Sequence, residues 1–194
     1  FLLCVGHLHD HIERHFGDGS RWNVQIHYSI ESTPLGTGGA LKNAESQLHT
    51  SFLLLNGDSW FDLDVGTFLT FHAARRAADP LYAGSLALAR VDDSRAYGSV
   101  QIDSRHRIVD YAEKRQSASP WISAGIYVLE SDLFQALPVE RRVSLERDVL
   151  PQILQSGRRL YGHPAEGYFV DIGTPVGYQD FRSFVAGRRN DHPQ

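Results

Sequence analysis

Residues 52–58 read Phe-Leu-Leu-Leu-Asn-Gly-Asp, and this short stretch decides the fold class. Its four consecutive apolar residues are typical of a strand that is buried on both faces, as in the interior of a parallel sheet. Asp58 then stands at the carboxyl end of that strand, which is where open α/β sheets bind their ligands. A carboxylate there is a suitable oxygen ligand for Mg²⁺ shared with phosphates. The alternative interpretation is an ordinary Asn-Gly-Asp turn.

The rest of the chain alternates between apolar runs and amphipathic segments. This order predicts an α/β fold with a mostly parallel, mixed sheet and helices on both faces. The predicted strands are 1–5, 24–30, 52–55, 81–90, 99–103, 107–112, 122–129, 159–162 and 168–170. The predicted helices are 9–16, 37–48, 65–78, 132–136, 145–155 and 175–185. We expect residues 1–187 to form a single domain and residues 188–194 a loose polar tail.

Composition narrows the classes of function. The chain has 194 residues, and a formal net charge of −4 argues against a nucleic-acid partner, which would require a basic face. No apolar stretch approaches the roughly 20 residues that a membrane-spanning helix needs. The single cysteine, Cys4, permits no internal disulfide, so we expect a reducing, cytoplasmic location.

A glycine-rich connection follows the second predicted strand at residues 31–41, Glu-Ser-Thr-Pro-Leu-Gly-Thr-Gly-Gly-Ala-Leu. Gly36, Gly38 and Gly39 stand at the mouth of a predicted helix, where free backbone amides attract polar or anionic groups. Their spacing matches neither the Walker loop nor the dinucleotide fingerprint. The alternative is a connection with no ligand.

Two further charged positions end predicted strands. The pair Glu113-Lys114 closes one of them, and a compact ammonium suits contact with a phosphate oxygen. The alternative there is a solvated ion pair of little energetic value. Asp171 ends another strand, just before Thr174 and Pro175 begin a helix as N-cap and first helical residue. Asp171 is either a second metal ligand or a satisfied strand-end carboxylate.

Taken together, these motifs resemble those of the sugar-1-phosphate nucleotidylyltransferases, most closely the branch that makes GDP-mannose or GDP-heptose. The resemblance covers nearly the whole chain and implies the Rossmann-like fold of that family. The matching segments are 5–8, 31–41, 56–58, 97–98, 113–114, 124–127, 144–146 and 169–175.

The resemblance implies a role for each motif residue. Asp58 and Asp171 would hold Mg²⁺, Lys114 would meet the sugar phosphate, and Glu113 would accept hydrogen bonds from sugar hydroxyls. The remaining substrate-binding residues would be Gly98, Ser123 and Gly125, and the nucleotide-binding residues would be Glu31, Gly36, Thr37, Gly38 and Gly39. The family branch usually has asparagine at the position of Ser123. The implied reaction is in-line attack of a sugar-1-phosphate on the α-phosphorus of a nucleoside triphosphate, with release of pyrophosphate.

Glu31 bears on the choice of nucleotide. Guanine presents two adjacent N–H donors that one carboxylate can accept together, whereas uracil and thymine present one. We therefore expect GTP rather than UTP or dTTP.

The chain departs from the family pattern at its beginning. The family opens with a strand and a glycine-rich loop that carries an arginine, and residues 1–5 resemble the family's second strand instead. We therefore expect an N-terminally truncated chain with a gap in its sheet. The missing piece belongs to a longer natural protein, or the two flanking strands close up, or a second copy fills the gap in a homodimer. Whether such a chain is an enzyme stays open. The alternative function is a catalytically inactive relative that binds nucleotide sugar or sugar phosphate, or that only self-assembles.

The segment 7–15 is rich in histidine, and His11 and His15 lie one helical turn apart. A zinc site is one interpretation, but Glu13 is misplaced for the common zinc-protease motifs. A solvent-facing helix is the simpler alternative.

Overall fold

A computed structural model of the chain describes residues 1–91, 97–113 and 119–191, with backbone alone at 98, 112, 113 and 189–191. The strands are β1 (Leu2–Val5), β2 (His27–Ile30), β3 (Ser51–Leu55), β4 (Ser59–Phe61), β5 (Tyr82–Arg90), β6 (Gly98–Ile102), β7 (Ile108–Glu113), β8 (Trp121–Glu130), β9 (Arg159–Ala165) and β10 (Phe169–Asp171). The α-helices are α1 (His9–Phe16), α2 (Gly36–Asn43), α3 (Val65–Ala78), α4 (Leu150–Gln155) and α5 (Pro175–Asp191). The described helices include none that is long and apolar enough to cross a bilayer.

The chain divides into two compact units, each formed by two separate segments of the chain. One comprises Phe1–Phe52 with Glu130–Ser156, and the other Leu53–Leu129 with Gly157–Gln194. A single domain over residues 1–187 therefore stays a prediction.

In the first unit, β1 and β2 form a two-stranded parallel sheet in which Leu2 lies opposite His27. Helix α2 packs against a π-helical turn at Leu145–Val149, which leads directly into α4. Leu41, Leu145 and Leu150 are buried. This apolar packing fixes the glycine-rich start of α2 against a segment that is distant in sequence.

In the second unit, six strands form one sheet in the order β7-β6-β8-β5-β9, and β3 also pairs with β8. Strand β5 is buried along nearly its whole length. The prediction that residues 52–55 form a strand buried on both faces is wrong, because Leu53 and Leu55 of β3 are exposed. Helix α3 covers β5 and β9, and its Phe68 belongs to a core cluster with Phe61, Ile122 and Ile126. A separate two-stranded antiparallel sheet pairs β4 with β10, which are distant in sequence.

The α/β class with a mixed sheet is confirmed, but the expectation of mostly parallel pairing is wrong. The pairs β1–β2 and β5–β9 are parallel, whereas β4–β10, β5–β8, β6–β7 and β6–β8 are antiparallel. The turn between β6 and β7 is too short for a crossover helix, so these strands must form a hairpin. Asp103 stabilises that turn by accepting hydrogen bonds from the backbone N–H groups of Arg105 and Arg107.

His163 on β9 packs beneath α3. Its ring lies 5.7 Å from the ring of Phe68 and 4.9 Å from that of Phe71, centroid to centroid. Burial lowers the pKa of His163, and the positive charge of His106 lowers it further, while the carboxylate of Asp64 opposes the shift. The folded protein therefore favours the neutral imidazole.

We expect the free energy of unfolding to fall as the pH falls below about 6.5, the pKa of an unperturbed histidine. Below that pH the unfolded chain binds a proton at His163 that the folded chain resists, so acid favours unfolding until the folded pKa is passed. Urea unfolding at pH 8 and pH 5 measures this loss in the wild type and in His163→Gln. The variant should lose less stability than the wild type, and equal losses would contradict the assignment to His163.

Candidate active site

The antiparallel pairing of β4 with β10 brings Asp58 and Asp171 together. Ser59, which follows Asp58, lies opposite Asp171 in the antiparallel register. The backbone N–H groups of Ile172 and Gly173 donate to the carbonyl oxygen of Asp58 at 2.8 and 3.2 Å. These bonds tie the loop after β10 to the loop after β3, so the two predicted metal carboxylates share one edge of the second unit.

The two carboxylates converge on Gly173. A Cβ atom placed on Gly173 would lie 3.1 Å from Asp171 Oδ1 and 3.7 Å from Asp58 Oδ2. The N–H of Gly173 also donates to Asp171 Oδ1 at 2.9 Å, which fixes that side chain. Glycine leaves room here for both carboxylate groups to approach the same space.

This arrangement fits Mg²⁺ shared with a phosphate substrate. Magnesium is commonly bound by one or two protein carboxylates, and phosphate and water oxygens complete its octahedron. Within the described residues, no group of three or more His, Cys, Asp or Glu side chains is placed to hold a metal. The two converging aspartates match the one or two carboxylates that such an ion usually takes from a protein.

A bulge in β8 forms the next part of the site. The β5–β8 register shifts between Leu86 and Leu88, and Gly125 in the bulge has φ +73°. The carbonyl oxygen of Gly125 accepts from the N–H of Asn56 at 2.8 Å. A Cβ at Gly125 would lie 3.0 Å from Ser59 Oγ and 3.1 Å from Asn56 Nδ2. Glycine is required by both the backbone angle and the close approach of these two polar side chains.

The sequence analysis named Gly125 as a site residue. Asn56 appeared there only within the strand-end motif, and Ser59 was not named, although the structure places both side chains beside Gly125. Their closeness in sequence to Asp58 could have indicated both residues. The local sequence does not show, however, that the bulge of β8 lies against them.

Ser123 lies on β8, just before the bulge. Its hydroxyl donates to the hydroxyl of Tyr127 at 3.0 Å, and the N–H of Gly125 approaches Ser123 Oγ at 3.5 Å. The Ser123 hydroxyl is thus engaged within the strand. Its contact with a sugar stays a prediction.

Tyr97 lies near the carboxylate pair and was not among the predicted site residues. Its ring packs edge-on against Phe169 at 5.4 Å, on the strand that ends at Asp171. Burial raises the pKa of Tyr97, and the negative charge of Asp171 raises it further. The phenol therefore stays protonated beside the carboxylate.

Two further predicted sugar-site residues, Gly98 and Glu113, lie at the open end of the β6–β7 hairpin. Gly98 pairs with Glu113 in the antiparallel register, so the backbone places these two positions side by side. Lys114 and the side chain of Glu113 lie outside the described residues, and their roles stay predictions.

The predicted nucleotide-binding loop lies in the first unit, and its amides are partly occupied. The N–H groups of Gly38 and Gly39 donate to the carbonyl oxygen of Val143 at 2.9 and 3.1 Å. This corrects the expectation of free amides at those two glycines, because a distant backbone carbonyl already satisfies them. Glu31 Oε2 accepts from the N–H of Leu35 at 3.2 Å, which holds the glutamate against the same loop.

Thr37 is also engaged within the fold. Its hydroxyl donates to Glu146 Oε2 and accepts from the N–H of Leu145, both at 2.8 Å. Ser144 caps the same π-helical turn by accepting from the N–H of Arg147. The threonine therefore connects α2 to the turn before α4, and contact with a nucleotide stays a prediction.

The histidine-rich segment forms α1. His9 Nδ1 lies 2.7 Å from Glu13 Oε1 one turn later, which accounts for one histidine of the segment by a local pair.

Comparison with known proteins identifies the family of the chain. Residues 1–187 match the nucleotidyl transferase family. The chain is 39% identical over 166 residues to mannose-1-phosphate guanylyltransferase of Mycobacterium tuberculosis, covering 84% of this chain and 45% of that protein. It is 32% identical over 180 residues to D-glycero-alpha-D-manno-heptose 1-phosphate guanylyltransferase of Aneurinibacillus thermoaerophilus, covering 92% of this chain and 74% of that protein.

A solved structure shows the same fold. The structure of HddC from Yersinia pseudotuberculosis complexed with GMP-PN superposes with a TM-score of 0.75 at 28% identity, covering 92% of this chain and 75% of that one. This chain thus spans less than half the length of the mycobacterial relative. It spans about three quarters of the Aneurinibacillus guanylyltransferase and of HddC. With the family match running from residue 1 to residue 187, the chain belongs to the nucleotidyl transferase family.

Proposed function

We propose that this chain transfers a nucleoside monophosphate, GMP by preference, from a nucleoside triphosphate to a sugar-1-phosphate and releases pyrophosphate. The observation that carries the proposal is the convergence of Asp58 and Asp171 on Gly173. The similarity of the chain to mannose- and heptose-1-phosphate guanylyltransferases supports the choice of substrates.

The catalytic residues of the proposal act by position and charge. Asp58 and Asp171 would hold Mg²⁺, and the ion would supply positive charge against the negative charge of the two phosphate-bearing substrates. Lys114 meets the sugar phosphate with a second positive charge. Transfer of this kind depends on alignment and electrostatic stabilisation more than on acid–base groups. The sugar-1-phosphate oxygen forms a bond to the α-phosphorus as the bond to pyrophosphate breaks.

The substrate-binding residues orient the sugar and the base. Glu113 accepts hydrogen bonds from sugar hydroxyls, and Gly98, Ser123 and Gly125 line the sugar pocket. Glu31 faces the base with the glycine-rich loop, and its carboxylate accepts the paired donors of guanine. The hydrogen bond from Leu35 occupies one lone pair of that carboxylate and leaves acceptor capacity for the base.

We further propose a cytoplasmic homodimer. The single cysteine and the absence of any internal disulfide suit a reducing compartment. Pairing of an edge of the two-stranded β1–β2 sheet with a second copy would provide the physical basis for self-association.

A coupled pyrophosphate-release assay tests the function. We expect the highest kcat/KM for GTP with mannose- or heptose-1-phosphate, and loss of turnover when EDTA removes divalent metal. Lower values are expected for UTP or dTTP and for glucose-1-phosphate. Binding of GDP-mannose without turnover would favour the inactive relative instead. The absence of both binding and turnover would contradict the proposal altogether.

A further inference from the structure

A row of polar groups extends from the carboxylate pair to the bulge in β8. Ser59 Oγ lies 3.4 Å from Asp58 Oδ1, and on its other side it approaches Gly125. Asn56 Nδ2 flanks the same glycine. The row therefore runs from Asp171 through Asp58 and Ser59 to Asn56, and every member belongs to the second unit.

The carboxamide of Asn56 differs from the other members of this row. Asn56 is half-buried, and its backbone N–H already donates to Gly125. Within the described residues, its side chain makes no hydrogen bond to another protein group. Because Asn56 is only half-buried, a ligand can approach its side chain from solvent. An accessible carboxamide held beside a glycine is placed to bind a ligand.

The position of the row indicates which part of a ligand meets Asn56. A phosphate that shares a metal with Asp58 and Asp171 carries its sugar through the anomeric oxygen. The sugar ring then lies beyond the carboxylates, and the row leads from them along Ser59 to Asn56. Sugar hydroxyls both donate and accept hydrogen bonds, as a carboxamide does.

We propose that Asn56 is a specificity-determining residue whose carboxamide hydrogen bonds one ring hydroxyl of the sugar-1-phosphate. This inference rests on the proposed function and adds to it a residue that recognises the sugar. Gly125 makes the contact accessible because any side chain in the bulge would occupy the space beside the Asn56 amide.

The test replaces Asn56 with leucine, which has nearly the same shape and no hydrogen-bonding group. The backbone bond to Gly125 persists because it does not involve the side chain. With GTP and mannose-1-phosphate, we expect kcat/KM for the sugar phosphate to fall by about 10- to 100-fold. The KM for GTP should stay unchanged. Gln152→Leu, which removes an exposed carboxamide from α4, serves as the matched control and should behave like the wild type.

Monodeoxy analogues of mannose-1-phosphate identify the hydroxyl. Wild type and Asn56→Leu should differ on every analogue except the one that lacks the hydroxyl bound by Asn56. A loss of equal size on all analogues, or a rise in the KM for GTP instead, would overturn the assignment. Asn56→Asp provides a second variant that keeps the acceptor oxygens and removes the N–H donors.

Calorimetric binding of GDP-mannose separates this inference from the proposed function. Weaker binding by Asn56→Leu than by the wild type supports the inference even if the wild type shows no turnover. Absence of turnover would contradict only the proposed catalytic function. Equal binding by both proteins, or no binding by the wild type, would overturn the role of Asn56.

Discussion

Asp171→Asn is expected to lower kcat/KM for the nucleotidyl transfer by about 10³-fold, the scale of losing a main electrostatic contact to the transition state. The substitution keeps the size of the side chain and removes its charge. Asparagine retains an oxygen that can accept from the N–H of Gly173, so the loop after β10 should keep its conformation. The loss should therefore appear in catalysis and metal affinity rather than in folding.

The measurement is kcat/KM as a function of Mg²⁺ concentration. Asp171→Asn should need more Mg²⁺ for half-maximal activity, whereas Asp180→Asn, at an exposed position of α5, should match the wild type. Asp58→Asn should cause a similar loss, and the double variant should be little worse than either single one because both carboxylates serve one ion. An Asp171→Asn enzyme with full activity and an unchanged Mg²⁺ requirement would show that the pair does not bind the metal.

Gly36→Ala is expected to destabilise the protein by about 3 kcal/mol, combining backbone strain with overpacking. Gly36 has φ +72°, and a Cβ there would lie 2.7 Å from the carbonyl oxygen of Val143. That carbonyl cannot easily move away, because it accepts from the N–H groups of both Gly38 and Gly39. The first glycine of the loop is thus required by the fold, whether or not the loop binds a nucleotide.

Gly157→Ala provides the matched control for this prediction. Gly157 also has a positive φ, +84°, but a Cβ there meets nothing within 4 Å. The Gly157→Ala substitution should destabilise the protein only by the strain of a positive φ for alanine, about 1 kcal/mol. Urea unfolding of the two variants therefore isolates the contact with Val143. Equal destabilisation by both substitutions would mean that this contact does not constrain the loop.

Individual elements show how far local pattern predicts structure. The predicted strand at 122–129 is observed as Trp121–Glu130, because a long apolar run is sufficient to mark a buried strand. The predicted strand at 24–30 is shortened to His27–Ile30. The N–H groups of Val24 and Ile26 donate to the carbonyls of Gly19 and Asp18 in a preceding turn, so the alternating pattern begins before the strand does.

Two predicted helices changed character for similar reasons. The helix expected at 145–155 begins as a π-helical turn, Leu145–Val149, which the hydroxyl of Thr37 contacts from a distant part of the chain. The helix expected at 37–48 ends at Asn43, and a 3-10 turn follows at Glu45–Gln47. Periodicity predicts that a segment is helical, but tertiary contacts set its pitch and its end.

Short motifs in a fixed order along the chain are enough to predict the family and to single out Asp58, Gly125 and Asp171 as candidate site residues. The convergence of the two carboxylates on Gly173 and the position of Asn56 beside the bulge at Gly125 are visible only in the folded chain. The folded chain also shows that Val143 occupies the amides of the glycine-rich loop. In each case the two partners are distant in sequence, and no local pattern states which strands and loops a fold will bring into contact.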